Sequence, residues 1–352
     1  MEAIPTSSSR HCCFSSAAYV MALHPIHEAN RRSPYGDLTR EEFYHSHMVH
    51  HHESFVLNRH NMKIFTQSWS PAWADPADGG IDDADDGIRG LVAMVHGYTA
   101  ESGWMFELTA VAVAKLGFHV VALDLRGHGR SEGRRGHLPD IGIVVDDCAE
   151  FFDSARTAHE GLPSFLYGES LGGAVAALVY MKQKGRWSGL VLNGAMCGVS
   201  SKLKPPWPLE KLLPAMAFVA PDWPVPTRGL PGRSFKVRWK RRLFRSSPNR
   251  RRLQRPPAST ALELVRVVEE IGRRAEELDL PLLVVHGGAD EVCDAGSAER
   301  LYKASRSVDK TLRVLPGMWH QLIGEPDEGV DLAFGIIFWW LIDRADRATT
   351  HR

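Results

Sequence analysis

Gly168-Glu169-Ser170-Leu171-Gly172-Gly173 decides the reading of this chain. It lies between an apolar run, Phe165-Leu166-Tyr167, and a small-residue helical pattern from Ala174 to Met181. That succession predicts a strand, a sharp turn and a helix, with Ser170 at the apex. Such a turn is crowded, and Gly168 and Gly172 let strand and helix approach without a Cβ clash. The serine oxygen then stands above the sheet edge at a helix N-terminus, whose dipole favours developing negative charge. G-x-S-x-G recurs by chance in many chains. Between a strand and a helix it points to a nucleophilic serine.

A lone hydroxyl is a poor nucleophile, so the elbow predicts a base, an acid and oxyanion donors elsewhere. Pro281 to Gly287 reads as a strand buried on both faces, and Asp290 follows its carboxyl end. Chemistry collects at that edge in open α/β sheets, which makes Asp290 the expected acid. Asp294 is the alternative, with capping of a helix near Gly296 as its other role. Thr311 to Leu315 reads as the next strand, and Pro316-Gly317-Met318-Trp319 as the loop that carries His320, the expected base. The chain has 17 histidines, and His320 is singled out by following the last strand. His96 and His286 sit on strand ends before glycines and are expected to be structural. The oxyanion donors are the backbone N–H of Leu171 and that of Tyr98, in the loop after Leu91 to Val95. Each such donor is typically worth ~10²–10³ in turnover.

The rest of the chain alternates. Strands are expected at 91–95, 119–123, 164–167, 189–192, 282–285 and 311–315, separated by helical stretches such as Trp104 to Leu116 and Ile141 to Ala158. This pattern gives a mostly parallel sheet with helices on both faces. Ahead of it, Glu53 to Leu57 and Met62 to Gln67 predict a hairpin around the polar turn Asn58 to Asn61. His45, His47, His50, His51 and His52 precede the hairpin and read as a polar flank rather than a metal cluster. His119 and Asp124 show an H-x₄-D spacing, read as coincidence, with Asp124 tying down the Arg126 to Ser131 loop.

The alternation breaks from Ala195 to about Ala258, where a cap is expected over the site. Pro205 to Pro226 carries seven prolines, with Trp207, Leu213, Met216 and Phe218 as substrate-facing or lid candidates. Arg228 to Arg255 contains twelve Arg or Lys and no Asp or Glu. Its interleaved Trp239 and Phe244 suit peripheral contact with anionic lipid better than nucleic acid, and a solvated lid surface is the plainer account.

His96-Gly97-Tyr98, Asp124-Leu125-Arg126-Gly127-His128-Gly129-Arg130-Ser131, Gly168 to Gly173, His286-Gly287-Gly288-Ala289-Asp290 and the His320 loop together resemble the monoacylglycerol lipase family of α/β-hydrolases. The likeness is strongest toward its plant branch, which includes caffeoylshikimate esterase and lysophospholipase-like members, and Glu28-Ala29-Asn30, Ser33-Pro34-Tyr35-Gly36 and Glu42-Phe43-Tyr44 also resemble the entry of those members. It runs from about Glu28 to about Asp343. The resemblance implies an α/β-hydrolase fold with an inserted cap and a Ser170–Asp290–His320 triad. It implies a serine hydrolase of small esters that works through an acyl-enzyme and requires no cofactor and no metal. Monoacylglycerol is the first expected substrate. Lysophospholipid and hydroxycinnamoyl esters such as caffeoylshikimate remain open, as does a small-molecule receptor on the same fold.

Composition agrees with a soluble globular protein. Of 352 residues, 44% are hydrophobic and 24% charged, with zero formal net charge, which argues against a dedicated nucleic-acid binder. Five scattered cysteines without a C-x-x-C pair suggest neither a zinc site nor a disulfide framework. Leu332 to Ile342 is the most apolar run and falls short of the ~20 residues a spanning helix needs. The expected organisation is an N-terminal extension at 1–27, core segments at 28–194 and 259–352, and the cap at 195–258. The serine-rich start could serve plastid targeting, but a cytoplasmic location, with or without membrane association, is the reading adopted. Oligomeric state is left open.

Overall fold

The structure is a computed structural model and describes residues 23–74, 87–138, 140–200, 209–225, 230–249 and 255–350. The expected hairpin is present and longer than its apolar pattern. β1 (Val49–Leu57) pairs antiparallel with β2 (Lys63–Pro71). Asn58 builds the turn, its Oδ1 accepting from the N–H groups of His60 and Met62 at 3.0 and 2.9 Å, while Asn61 takes φ 57°. This is the local hydrogen bonding for which turns favour Asn. The histidines at the start of β1 hid it from a hydrophobic reading. Strand alternation leaves His50 and His52 exposed and turns His51 to the other face, where Nε2 meets Gln67 Oε1 at 3.0 Å.

Six further strands follow: β3 (Gly90–Val95), β4 (Phe118–Leu123), β5 (Ser164–Glu169), β6 (Gly189–Asn193), β7 (Leu282–Gly287) and β8 (Lys310–Leu315). The described residues form one sheet in the order β1-β2-β4-β3-β5-β6-β7-β8. From β4 to β8 every pairing is parallel, and β2 joins β4 antiparallel. The mostly parallel sheet with covering helices is the α/β-hydrolase fold.

Alternation along β3 shows how both faces are filled. Leu91, Ala93 and Val95 face a layer that includes α3 (Ile141–Ala158) and α4 (Leu171–Lys182), numbered after α1 (Arg40–Ser46) and α2 (Met105–Lys115). Val92 and Met94 face the opposite layer, with α2 and the C-terminal helix. Each such buried aliphatic side chain contributes roughly 1.5–3 kcal/mol. The chain joins this body before Glu28: Ile26 is fully buried, and His24 Nε2 lies 3.0 Å from Thr109 Oγ1.

Between β6 and β7 lie α5 (Leu209–Val219), α6 (Leu230–Ser234), α7 (Arg238–Arg245) and α8 (Ala258–Arg274). Leu213 and Met216 of α5 close a small core with Val225, Leu262 and Val265. Phe218 is 89% exposed, and Trp207 lies outside the described residues. The basic segment is more deeply engaged than its charge suggests. Leu243 is fully buried, Trp239 and Phe244 pack against the main core, and Lys240 is buried. Its Nζ donates to Glu325 O at 2.8 Å and lies 3.1 Å from Asp327 Oδ1. Arg233 pairs with Glu291, and Lys236 donates to Gly317 O at 3.0 Å. Lys240 thus holds α7 against the body, because a long cationic side chain can bury its stem and reach an acceptor at its tip, while Arg238, Arg242 and Arg245 stay exposed.

The final helices are α9 (Ala295–Ala304) and α10 (Asp327–Thr350). Among the described residues no helix is long and apolar enough to cross a membrane.

Candidate active site

β5 delivers the chain into Ser170, which takes φ 55° and ψ −120° before α4 begins at Leu171. A non-glycine residue here costs about 1–3 kcal/mol and persists where its surroundings enforce it. They do so on both sides. Ser170 N–H donates to Asn193 O at 3.1 Å, and Ser170 O accepts from Gly173 N at 3.0 Å and Met196 N at 2.8 Å. A Cβ on Gly168 would stand 2.3 Å from Gly172 O, and one on Gly172 would stand 2.1 Å from Val95 O. The elbow closes on backbone that leaves no room for a side chain.

Two loops bring the partners. The Ser170 hydroxyl lies 2.9 Å from His320 Nε2, and His320 Nδ1 lies 2.7 Å from Asp290 Oδ2. The network assigns the protons: Ser170 Oγ–H donates to Nε2, and Nδ1–H donates to Asp290. Asp290 Oδ1 accepts from Val292 N at 2.7 Å and Cys293 N at 3.0 Å, which fixes the carboxylate plane. The His320 loop is pinned by Trp319 N–H donating to Glu325 Oε1 at 2.6 Å, and by Gln321 N–H donating to Ser234 O at 2.9 Å.

The charges reinforce each other. Burial would raise the Asp290 carboxyl, but the neighbouring His320, helped by His286, holds it below the usual carboxylate range. Burial would lower His320, but the Asp290 charge outweighs it, with Cys293 adding, and raises the imidazole well above 6.5. The signs for stability follow. His320 contributes in full below its unfolded value, and that contribution is lost as pH rises through the raised folded value. Asp290 contributes above the ordinary carboxylate value, and this is lost as pH falls through the depressed one. Activity runs the other way for the base, since only neutral imidazole accepts a proton. For an ester without titratable groups, kcat/KM should therefore rise along an acid limb centred above ~6.5. A pH profile with its limb at or below that value would contradict the coupling.

The remaining candidates sort by geometry. Asp294 caps α9, its Oδ1 accepting from Gly296 N at 3.2 Å. His96 is buried and satisfied: Nε2 accepts from Leu125 N at 3.0 Å, and burial lowers it to about 4. Asp124 holds its loop by accepting from Arg130 N at 2.7 Å and Ser102 N at 2.6 Å. His119 instead meets Ser70 Oγ at 2.8 Å. His286 is fully buried with Nε2 3.1 Å from Asp290 Oδ2, a contact the sequence reading did not anticipate. Its strand position carried no signal of that, because the contact depends on how the next loop folds back.

Above Ser170 opens a cleft of about 110 Å³. Tyr98 and Leu171 both line it, and the position of a Cβ on Gly97 is 3.1 Å from Ser170 Cβ, so the Tyr98 loop passes against the nucleophile. Its apolar wall includes Met196, Val199, Phe235, Phe244, Leu264 and Val292. Leu213, Met216 and Phe218 are not among its lining residues. The reason is amphipathic: α5 spends Leu213 and Met216 on α8, which leaves α7 and its approach to wall the cleft.

A family model described as serine aminopeptidase, S33, matches residues 86–327. Caffeoylshikimate esterase of Arabidopsis thaliana is 31% identical over 318 residues, covering 89% of this chain and 92% of that protein. Human monoglyceride lipase is 28% identical, covering 84% and 92%. Among solved structures, a soluble variant of monoglyceride lipase from Saccharomyces cerevisiae in complex with a substrate analog superposes with a TM-score of 0.69 at 19% identity, covering 83% of this chain and 94% of that one. That likeness speaks for the fold. The match over residues 86–327 and the relatives across most of the length place the chain in the serine aminopeptidase S33 family, as a hydrolase of the esterase and lipase type.

Proposed function

We propose that Ser170, His320 and Asp290 form the catalytic relay of a carboxylic ester hydrolase whose first substrate is a monoacylglycerol. The observation that carries this reading is the unbroken hydrogen-bond line from Ser170 Oγ through His320 to Asp290. His320 takes the Ser170 proton as the oxygen attacks the ester carbonyl, and Asp290 steadies the imidazolium. The N–H groups of Tyr98 and Leu171 bind the tetrahedral oxyanion. His320 then protonates the departing alcohol, and a water activated in the same way releases the acid from the acyl-enzyme. The apolar cleft wall supports an acyl chain, and the name of the human relative supports a glyceride. The Arabidopsis relative supports a hydroxycinnamoyl ester as the second reading. Residues 195–258 act as the cap between core segments 28–194 and 259–352.

The test is a substrate panel of monoacylglycerols, lysophospholipids and hydroxycinnamoyl esters. The reading expects the highest kcat/KM on a monoacylglycerol. Turnover far below ~1 s⁻¹ on every ester, with a ligand-dependent rise in melting temperature, would favour a receptor instead.

Peripheral membrane contact through the basic segment 228–255 has a second candidate surface beside it, α5 and the turn that follows it. Phe218 and Trp223, 89% and 60% exposed, stand there with Val219 and Leu212. Replacing Phe218 and Trp223 together by Ser should lower co-sedimentation with anionic vesicles several-fold, and unchanged sedimentation would remove this contact.

A further inference from the structure

Two segments meet beside the expected base. One is the His320 loop, from Gly317 to Glu325. The other is the cap segment Ser234 to Lys240, which runs from the end of α6 into α7. Gln321 N–H donates to Ser234 O, and Val237 N–H donates to Gly324 O, each at 2.9 Å. Phe235 packs so closely on Gly324 that a Cβ on the glycine would stand 2.5 Å from its ring. Lys236 Nζ donates to Gly317 O at 3.0 Å, and Lys240 Nζ donates to Glu325 O at 2.8 Å. The same cap segment walls the cleft over Ser170 through Ser234 and Phe235, with Phe244 of α7 beside them. Glu325 stands where the two segments join, and it is 1% exposed. Its Oε1 accepts from Trp319 N–H at 2.6 Å, one residue before His320, and its Oε2 lies 3.5 Å from Lys236 Nζ. Lys236 is 42% exposed, so the charge of that pair contributes little by itself. The placement matters more: one carboxyl group holds the backbone of the base on one oxygen and meets the cap on the other.

We propose that Glu325 is a positioning residue for His320 and ties the seat of the cap to the alignment of the base. The inference rests on the hydrolase reading above and adds a residue to it. A ligand that fills the cleft presses on Phe235 and Phe244 and so keeps residues 234–240 in place. Those residues hold the loop from Gly317 to Glu325, and Glu325 holds Trp319. His320 Nε2 then stays 2.9 Å from Ser170 Oγ. When the cap segment lifts, the loop is released, and a displacement of about 1 Å at the base costs turnover ~10²-fold. The link works in both directions, since whatever favours the aligned base also favours the seated cap.

The experiment measures kcat, KM and the pH profile for hydrolysis of p-nitrophenyl butyrate. Glu325→Ala should lower kcat ~100-fold and leave KM within about threefold of wild type. Glu325→Gln keeps an acceptor for Trp319 N–H and should hold kcat within about fivefold. Lys236→Met alters a side chain outside the cleft lining and the relay, yet should lower kcat several-fold, because it removes the cap's hold on Gly317 and Glu325. The pH profile separates positioning from packing. His320 faces Asp290, Cys293 and Glu169. Burial lowers its imidazole, and the Asp290 charge, with Cys293 adding, outweighs this. A base that drifts from Asp290 loses that support, so the acid limb should move to lower pH in Glu325→Ala and in Lys236→Met. A merely structural role would reduce the amount of active enzyme and leave the limb where it is. Wild-type kcat and limb in Glu325→Ala overturn the proposal, as does a rise in KM alone or equal damage from Gln and Ala. If Glu325→Ala does not fold, Lys236→Met decides, and an unchanged kcat and limb there is the contrary result. Without turnover of this ester in wild type the hydrolase reading fails, whereas turnover that the variants leave unchanged sinks the role of Glu325 alone.

Discussion

Ser170→Ala should lower kcat on any accepted ester by ~10⁵–10⁶-fold, with a melting temperature close to that of wild type. The size follows from the role. The hydroxyl is the atom that bonds to carbon, and His320 and Asp290 without it have nothing to activate. A small remainder is expected, since the Tyr98 and Leu171 donors still polarise a bound carbonyl toward water. The fold loses little, because Ser170 is braced through its backbone, to Asn193, Gly173 and Met196. Steady-state turnover of p-nitrophenyl butyrate measures the effect. Activity within about tenfold of wild type would mean that another group attacks the ester.

Gly172→Ala should cost about 3–5 kcal/mol of stability. A Cβ there would stand 2.1 Å from Val95 O and 2.6 Å from His96 O. Those atoms end β3 and open the Tyr98 loop, so relief requires the nucleophile helix to back away from the central strand. Gly335→Ala is the contrasting case. Gly335 lies within α10, and a Cβ there meets nothing within 4 Å. That change should stabilise by roughly 0.5–1 kcal/mol through helix propensity alone. Urea denaturation of both variants checks the pair. A loss under about 1 kcal/mol at Gly172 would show that the elbow is looser than its geometry.

Strands β3, β5, β6 and β7 were legible because a parallel strand buried on both faces must be a continuous apolar run, whereas β8, half-exposed at the sheet edge and interrupted by Arg313, was legible from its place in the alternation. Phe165-Leu166-Tyr167 and Leu282-Leu283-Val284-Val285 are such runs, and no polar residue interrupts them. Ser170, His320 and Asp290, which the fold brings into one hydrogen-bonded line, were legible for a related reason, since each hangs just past the end of a strand that could be read. The cap was not legible in the same way. Pro214 lies inside α5, where a proline argues against helix, and only packing on α8 overrides that preference. The twelve basic residues from Arg228 to Arg255 suggest a solvated or lipid-facing surface. Lys240 is the exception within it: whether its ammonium meets water or Glu325 O depends on a turn 85 residues further on. His286 beside Asp290, and Lys236 beside Glu325, are likewise products of tertiary folding. Each is an ordinary residue in its own neighbourhood of sequence.

The most direct test of the central claim is to treat the protein with a fluorophosphonate and locate the adduct by peptide mass spectrometry. The account predicts one phosphonyl group per chain, on the peptide bearing Ser170, with labelling abolished in Ser170→Ala and strongly slowed in His320→Ala. Labelling at another residue, or none under conditions where the ester is turned over, would contradict it.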